Sequence, residues 1–258
     1  LEVIDLATYS EFYERPLQFR NTARQTIGMT RLAQALVDAP QTILQQLVDA
    51  AIELCGADSA GISVEHQDPA GSLYYKWEAT AGIYAHLLHA ILPSAPSACG
   101  QCLERGGPQL FRVSEPFFEL MRVQTATVTD GLLLPWKEGE TRGTIWIVAH
   151  GREQAFDRSD LDTMTMLATF AGLGVTAHER RATQDRLSAA VASAALVDLL
   201  AIRIRKPVQK LADLVFVAAN GKAQGNAQAL ARNLSEPLEL LTKIVEDSLG
   251  RQPAGRLN

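Results

Sequence analysis

The sequence predicts an α+β fold: an antiparallel sheet flanked by helices, continued by a long helix into an antiparallel helical hairpin that pairs with a second copy as a four-helix bundle. Three observations carry this. Short apolar runs bounded by turn residues occupy the front of the chain, as strands do. No proline or long turn cluster separates Asp160 from Pro207, so one helix can run through that whole stretch. Beyond it, apolar residues recur every three or four positions in two segments separated by a Gly-bearing break.

The elements follow in order. Residues 1–29 are aromatic and polar with weak periodicity, with Tyr9, Phe12, Tyr13, Leu17 and Phe19, and form a packed N-terminal arm. From Thr30 the spacing of Leu32, Leu36, Ile43, Leu47, Ala50, Ala51 and Leu54 predicts helix, jointed at Pro40 and ended at Gly56. Residues 60–65 and 73–79 read as strands around the turn Pro69, Ala70, Gly71. Residues 84–92 read as a short helix, 93–96 as a loop, and 109–113 as a strand. Residues 131–136 and 142–150 form a hairpin across 137–141. The run from Thr144 to Ala149 is apolar at both alternations, which predicts a central strand covered on both faces. Asp157 with Asp160 forms a capping box at the start of the long helix, Ser159 with Asp162 an alternative one. Leu161, Met164, Leu167, Ala168, Ala171 and Val175 make its packed face, and Gly172 and Gly174 weaken it. The seam of the first bundle helix reads Leu196, Leu200, Ile204, Val208, Leu211, Val215 and Ala218. The second reads Leu230, Leu234, Leu238, Leu241, Val245 and Leu249, ended by Gly250. Asn220 to Asn226 is the loop between them, and 251–258 a flexible tail.

Bulk properties bound the function. The chain has 258 residues, 47% of them hydrophobic, and a net charge of -5, which argues against general affinity for nucleic acid. Residues 1–178 carry 12 basic and 21 acidic side chains, and 179–258 carry 12 and 8, so the acidity lies in the front. Cys55, Cys99 and Cys102 are too few and too far apart for a disulfide framework, which suits a reducing compartment. The longest apolar run, residues 189–204, is interrupted by Asp198 and Arg203 and reads as too short to span a bilayer. A cytoplasmic protein without membrane insertion is expected.

Several short motifs recur in an order that resembles a known family. They are Lys76, Trp77, Glu78, Ala79 with Ala81 and Gly82; Ser97, Ala98, Cys99, Gly100; Leu133, Leu134, Pro135; Gly143 through His150; and Phe156, Asp157, Asp160. Residues 30–178 resemble the GAF domains of bacterial two-component sensor histidine kinases, with Ala98 standing where those relatives usually have Pro. The resemblance implies an antiparallel sheet with helices on one side and a small-molecule cavity on the other. The segment ending Leu200, Ala201, Ile202, Arg203, Ile204, Arg205, Lys206, Pro207, together with residues 241–249, resembles the dimerisation and histidine-phosphotransfer hairpin of the same kinases. It falls within 179–250, a long signalling helix and degenerate hairpin. There the family's phosphoacceptor His and the following Glu are replaced by Ile202 and Arg203, and an aliphatic side chain cannot accept a phosphoryl group. The resemblance implies a noncatalytic sensor without autokinase activity, whose partner is a sensor kinase or response regulator. Leu199, Ile202 and Arg203 are the candidate partner-binding patch.

Candidate site residues are Trp77, Tyr84, His86, His89 and Trp146, with Cys99 or His150, which would line the implied cavity and suit a flat or apolar ligand with one polar handle. The alternative is that the aromatic rings simply fill a core. No cofactor is identifiable. Cys99 and Cys102 form a CxxC pair near a helix start, where a lowered thiol pKa would permit redox sensing or a thiol-redox enzyme; two small buried residues are the plainer reading. One such pair is weak for zinc, with His86 or His89 needed to complete the set. Cys99 precedes Gly100, whereas bilin-attaching GAF domains have Cys followed by His. The cysteine spacing of GAF enzymes that reduce free methionine sulfoxide is also not reproduced. No paired carboxylates, Ser and His arrangement or Gly-rich phosphate loop with Lys occurs at a convincing spacing.

Overall fold

A computed structural model describes residues 1–120, 124–219 and 227–249. The chain divides into two compact units, residues 1–183 and 184–258. The expected loop at Asn220 to Asn226, the helix end at Gly250 and the tail from 251 lie outside the described residues, as do the side chains of Leu230 and Leu249.

In the first unit a seven-stranded antiparallel sheet has the order β1-β5-β6-β7-β2-β3-β4. Its strands are β1 (Glu2–Asp5), β2 (Ser59–Gln67), β3 (Leu73–Gly82), β4 (Ile91–Pro93), β5 (Gln109–Val113), β6 (Val128–Glu138) and β7 (Thr141–Ala149). β7 stands at the centre, as its two-sided apolar pattern requires. Ile145, Ile147 and Ala149 point to one face, Trp146 and Val148 to the other. The first face is covered by α1 (Thr22–Asp38), α2 (Ile43–Cys55) and the opening turns of α5 (Arg158–Ala219), whose Leu161, Met164, Leu167, Ala171 and Val175 join Ile43, Leu47, Ile62 and Ile147 in the main core. α2 stops at Gly56, which takes a left-handed φ of 63°. α3 (Ala98–Arg105) and α4 (Glu115–Leu120) follow β4 and β5, and residues of both join the smaller core on the opposite face.

The box at the start of α5 closes as expected. Asp157 accepts from the Ser159 and Asp160 backbone N–H groups, and Asp160 accepts from the Asp157 N–H at 3.1 Å. Around it packs the N-terminal arm, which carries β1, paired with β5, and a series of polar anchors. Arg15 forks the fully buried Asp130 at 2.8 and 3.2 Å and donates to the Phe156 carbonyl. Arg20 forks Asp160 at 2.8 and 3.1 Å, and the Gln18 N–H donates to Asp157.

Two expectations in this unit change. α1 begins at Thr22 rather than Thr30, capped by Asn21, whose side chain accepts from the Arg24 N–H. Residues 84–92 are not a helix. A 3₁₀ turn at Ile83–Leu87 ends at Leu88, His89 takes a φ of +66°, and β4 pairs with the edge of β3. The backbone bonds between Trp77 and Ala90 and between His89 and Trp77 hold that register.

In the second unit, the C-terminal part of α5 and α6 (Ala227–Leu249) form an antiparallel hairpin, tied by Lys210 to Glu236 at 2.6 Å and Arg203 to Asp247 at 3.5 Å. Of the expected seam, Leu200, Ile204, Leu211, Leu234 and Leu241 are half-buried on the inward face, joined there by Pro207, Leu214, Pro237 and Ile244, of which the two prolines and Ile244 are buried. Val208, Val215, Leu238 and Val245 are instead about half exposed or more, at 48%, 61%, 51% and 52%. Both registers step by three and four, and only the closer interhelix packing distinguishes them. By length and composition α5 is long and apolar enough to cross a membrane, over an 18-residue stretch with no buried residue.

Candidate functional site: an apolar cavity on the second sheet face

The face of the sheet away from α1 and α2 carries a cavity of about 70 Å³. Strand alternation builds its walls. Phe111 and Val113 of β5, Leu133 of β6 and Trp146 and Val148 of β7 all point the same way, and Phe117 and Phe118 of α4 close one side. Two rings fit because glycine stands opposite them. A Cβ on Gly61 would lie 2.1 Å from Trp146 Cζ2, and one on Gly131 would lie 2.5 Å from Phe111 Cε1. Each ring lies flat over the neighbouring strand where any other residue would lift it.

Trp77, Tyr84 and Trp146 form an aromatic group, with centroids 4.8 Å apart for the two tryptophans and 6.1 and 6.0 Å from each to Tyr84. The Tyr84 hydroxyl donates to the Ala126 carbonyl at 2.5 Å, and burial pushes its phenol above the ordinary range. Cys99 completes the wall. Its sulfur lies 3.4 Å from the Ser63 hydroxyl and 3.3 Å from that of Thr144, which are 2.6 Å from each other. The indole N–H groups of Trp77 and Trp146 are buried and have no hydrogen-bond partner.

Of the sequence-predicted residues, the structure brings Trp77, Tyr84, Cys99 and Trp146 to this cavity. His86 and His89 do not reach it. Both are exposed, the first with Nδ1 2.9 Å from the Ile83 carbonyl, the second 3.9 Å from Glu78. His150 stands behind Tyr84 rather than in the wall, with ring centroids 4.8 Å apart. Its Nδ1–H donates to the Thr127 carbonyl, and its Nε2 lies 3.0 Å from the Ser59 hydroxyl, which accepts from the Tyr84 N–H. It positions the ring. Phe117 and Phe118 were missed because α4 is short, whereas Phe111, Leu133 and Val148 follow from the alternation about Trp146.

The surroundings of the CxxC pair follow the plainer reading of two small buried residues rather than the redox alternative. α3 begins at Ala98 with Ser97 as its cap, yet Cys99 and Cys102 are both buried free thiols. Burial pushes both thiols up, and Cys55 likewise, which outweighs the helix terminus. Cys102 donates to the Gly107 and Leu133 carbonyls at 3.5 and 3.7 Å, a packing arrangement. Among the described residues no group of three or more His, Cys, Asp or Glu is placed to hold a metal. Leu199 and Ile202 are 51% and 66% exposed on α5, and Arg203 is taken up by Asp247.

A sequence model of the GAF domain family matches residues 38–176, slightly more than half of the chain. The chain belongs to the GAF family. The matched stretch contains β2 to β7 and every lining residue of the cavity except Leu1. Among solved structures it is similar to a GAF domain of a phosphoenolpyruvate-protein phosphotransferase from Coxiella burnetii, at 19% identity and a TM-score of 0.45 over 63% of this chain and 99% of that one. It is similar to the GAF domain of a putative sensor histidine kinase from Pseudomonas syringae pv. tomato, at 19% identity and a TM-score of 0.42 over 65% and 94%. It is also similar to the free methionine-R-sulfoxide reductase of Neisseria meningitidis in complex with its substrate, at 15% identity and a TM-score of 0.46 over 64% and 98%. No curated protein matches.

Proposed function

We propose that this is a noncatalytic signalling protein of two-component type, whose GAF domain binds a small molecule and whose helical hairpin pairs with a second copy and regulates a partner kinase or response regulator. The observation that carries this reading is an uncovered stripe on the hairpin. Leu187, Ala194, Ala201, Val208 and Val215 recur at seven-residue intervals along α5, all exposed, and Leu238 and Val245 repeat the interval on α6. Apolar residues at that period on both helices suit a four-helix bundle made from two hairpins. A bilayer is a poorer partner, since Asp198, Arg203, Arg205 and Lys206 interrupt the same helix.

Ile202 supports an output without phosphotransfer. It stands where the resembling kinases carry their acceptor histidine, and its exposure alongside Leu199 leaves an apolar surface for a partner. α5 belongs to both units, so a ligand that binds one arrangement of the bundle's helices better than another shifts their populations. Native mass spectrometry of freshly purified full-length protein tests the reading. Two subunits with a retained small molecule are expected, and a lone subunit without one overturns it.

A further inference from the structure

The cavity presents carbon to whatever enters it. The rings of Trp77, Tyr84, Phe111, Phe117, Phe118 and Trp146 stand in its wall, and the accessible lining is almost wholly apolar. The polar groups nearby are turned to the protein. The Tyr84 hydroxyl donates to the Ala126 carbonyl, the Ser97 side chain accepts from the Gly100 N–H, and the Cys99 sulfur is met by the Ser63 and Thr144 hydroxyls. The indole nitrogens of Trp77 and Trp146 are buried in the packing, so those rings offer an occupant their carbon surface. Leu1 packs against the same cluster, and with so little polar surface in the wall its amine is not a lining group. A polar solute entering such a space gives up its hydration and gains no partner in return, and a water molecule lacks the several hydrogen bonds that would hold it. Size narrows the class further. A cavity of about 150 Å³ accommodates benzene, so one of about 70 Å³ holds roughly three or four non-hydrogen atoms.

From the lining and the size we infer that the GAF cavity takes a small apolar molecule, hydrocarbon-like, with roughly three or four non-hydrogen atoms and no polar handle. This rests on the reading of the GAF domain as a ligand binder and adds the chemistry of the ligand. Removal of apolar surface from water drives the binding, and contact with the ring faces adds to it. Gly61 and Gly131 keep the floor of the site in place, because they let the Trp146 and Phe111 rings lie flat on the sheet. The other face of the sheet supplies an internal control, since Leu47 lies in the main core there, whereas Leu133 and Val148 stand in the cavity wall.

The experiment is a titration of the full chain carrying ¹³C-labelled Leu and Val methyl groups, read at Leu133, Val148 and Leu47, whose signals are assigned with the single variants Leu133→Ile, Val148→Ile and Leu47→Ile. The probes are isobutene, acetone and acetate, three planar molecules of equal heavy-atom count that differ in polarity and charge. Isobutene is expected to shift the Leu133 and Val148 methyls saturably and to leave Leu47 still. Acetone, whose oxygen meets no donor in the lining, is expected to bind at least roughly fivefold more weakly, and acetate not to saturate. Discrimination against acetone of less than about fivefold, or saturation by acetate, overturns the apolar class while leaving the cavity as a binding site. Leu133 and Val148 unmoved by all three probes, or moved no more than Leu47, overturn both the class and the reading of the cavity as a ligand site.

Discussion

Replacing Arg15 with Met tests how the N-terminal arm holds the start of α5. Arg15 makes two bonds to Asp130 and one to the Phe156 carbonyl, and both its side chain and that of Asp130 are essentially inaccessible. Without it, the Phe156 N–H at 3.2 Å is the one donor left to Asp130 among the described residues. Removing one partner of a buried pair costs about 3–5 kcal/mol, because the remaining charge stays desolvated. With a denaturant slope of about 2–3 kcal/mol/M in urea, that is a midpoint lower by roughly 1–2.5 M. Adding Asp130→Asn removes the stranded charge while keeping an oxygen for the Phe156 N–H, so the double variant regains more than about 1 kcal/mol over the single one. Urea unfolding followed by tryptophan fluorescence reads both. A loss under about 1 kcal/mol for Arg15→Met, or a double variant no more stable than the single, refutes the assignment of this pair as the arm's anchor.

Other outcomes follow from the same geometry. Gly61→Ala displaces the Trp146 ring and costs about 1–3 kcal/mol, with a changed near-ultraviolet circular dichroism spectrum; an unchanged spectrum contradicts the wall described here. Gly172→Ala places its Cβ 3.4 Å from Glu138 and 3.5 Å from Trp136, ordinary contacts, so the helix gain of about 0.5–1 kcal/mol prevails and the melting temperature rises. Cys55, Cys99 and Cys102 have raised folded-state pKa values, so their contribution is fully present below the ordinary thiol value of about 8.5 and lost as pH climbs above it. Each contributes a slope of up to about 1.4 kcal/mol per pH unit there. Unfolding across pH 8–11 shows whether stability falls and whether Cys→Ala variants flatten the fall.

The sheet was legible where side-chain pattern and topology agree. β7 announces itself by the unbroken apolar run from Ile145 to Ala149, and the Asp157 and Asp160 box marks the start of α5 because both halves of the cap lie within four residues. β1 has no such signal. It is four residues long and finds its partner β5 about a hundred positions later, so only tertiary pairing reveals it. The stretch after Gly82 misleads because its apolar spacing suits a helix, while the bonds between its backbone and Trp77 decide for an edge strand. Trp77 and Trp146 were readable as a pair, since they stand on the strands either side of β2 and point to one face, and Tyr84 joins them from the 3₁₀ turn. His86 and His89 were not excluded by any local feature, and the 3₁₀ turn that directs them outward is a consequence of the same edge pairing. In the hairpin, two adjacent stripes share one period, and sequence alone does not say which faces inward.

Sedimentation velocity of the full chain measures most directly whether a second copy fills the uncovered hairpin stripe. A particle of about twice 28.0 kDa is expected, reduced to one subunit by Val208→Glu with Val215→Glu while helical circular dichroism is retained. A wild-type chain sedimenting as a single subunit at micromolar concentration, with its helical content intact, would contradict it.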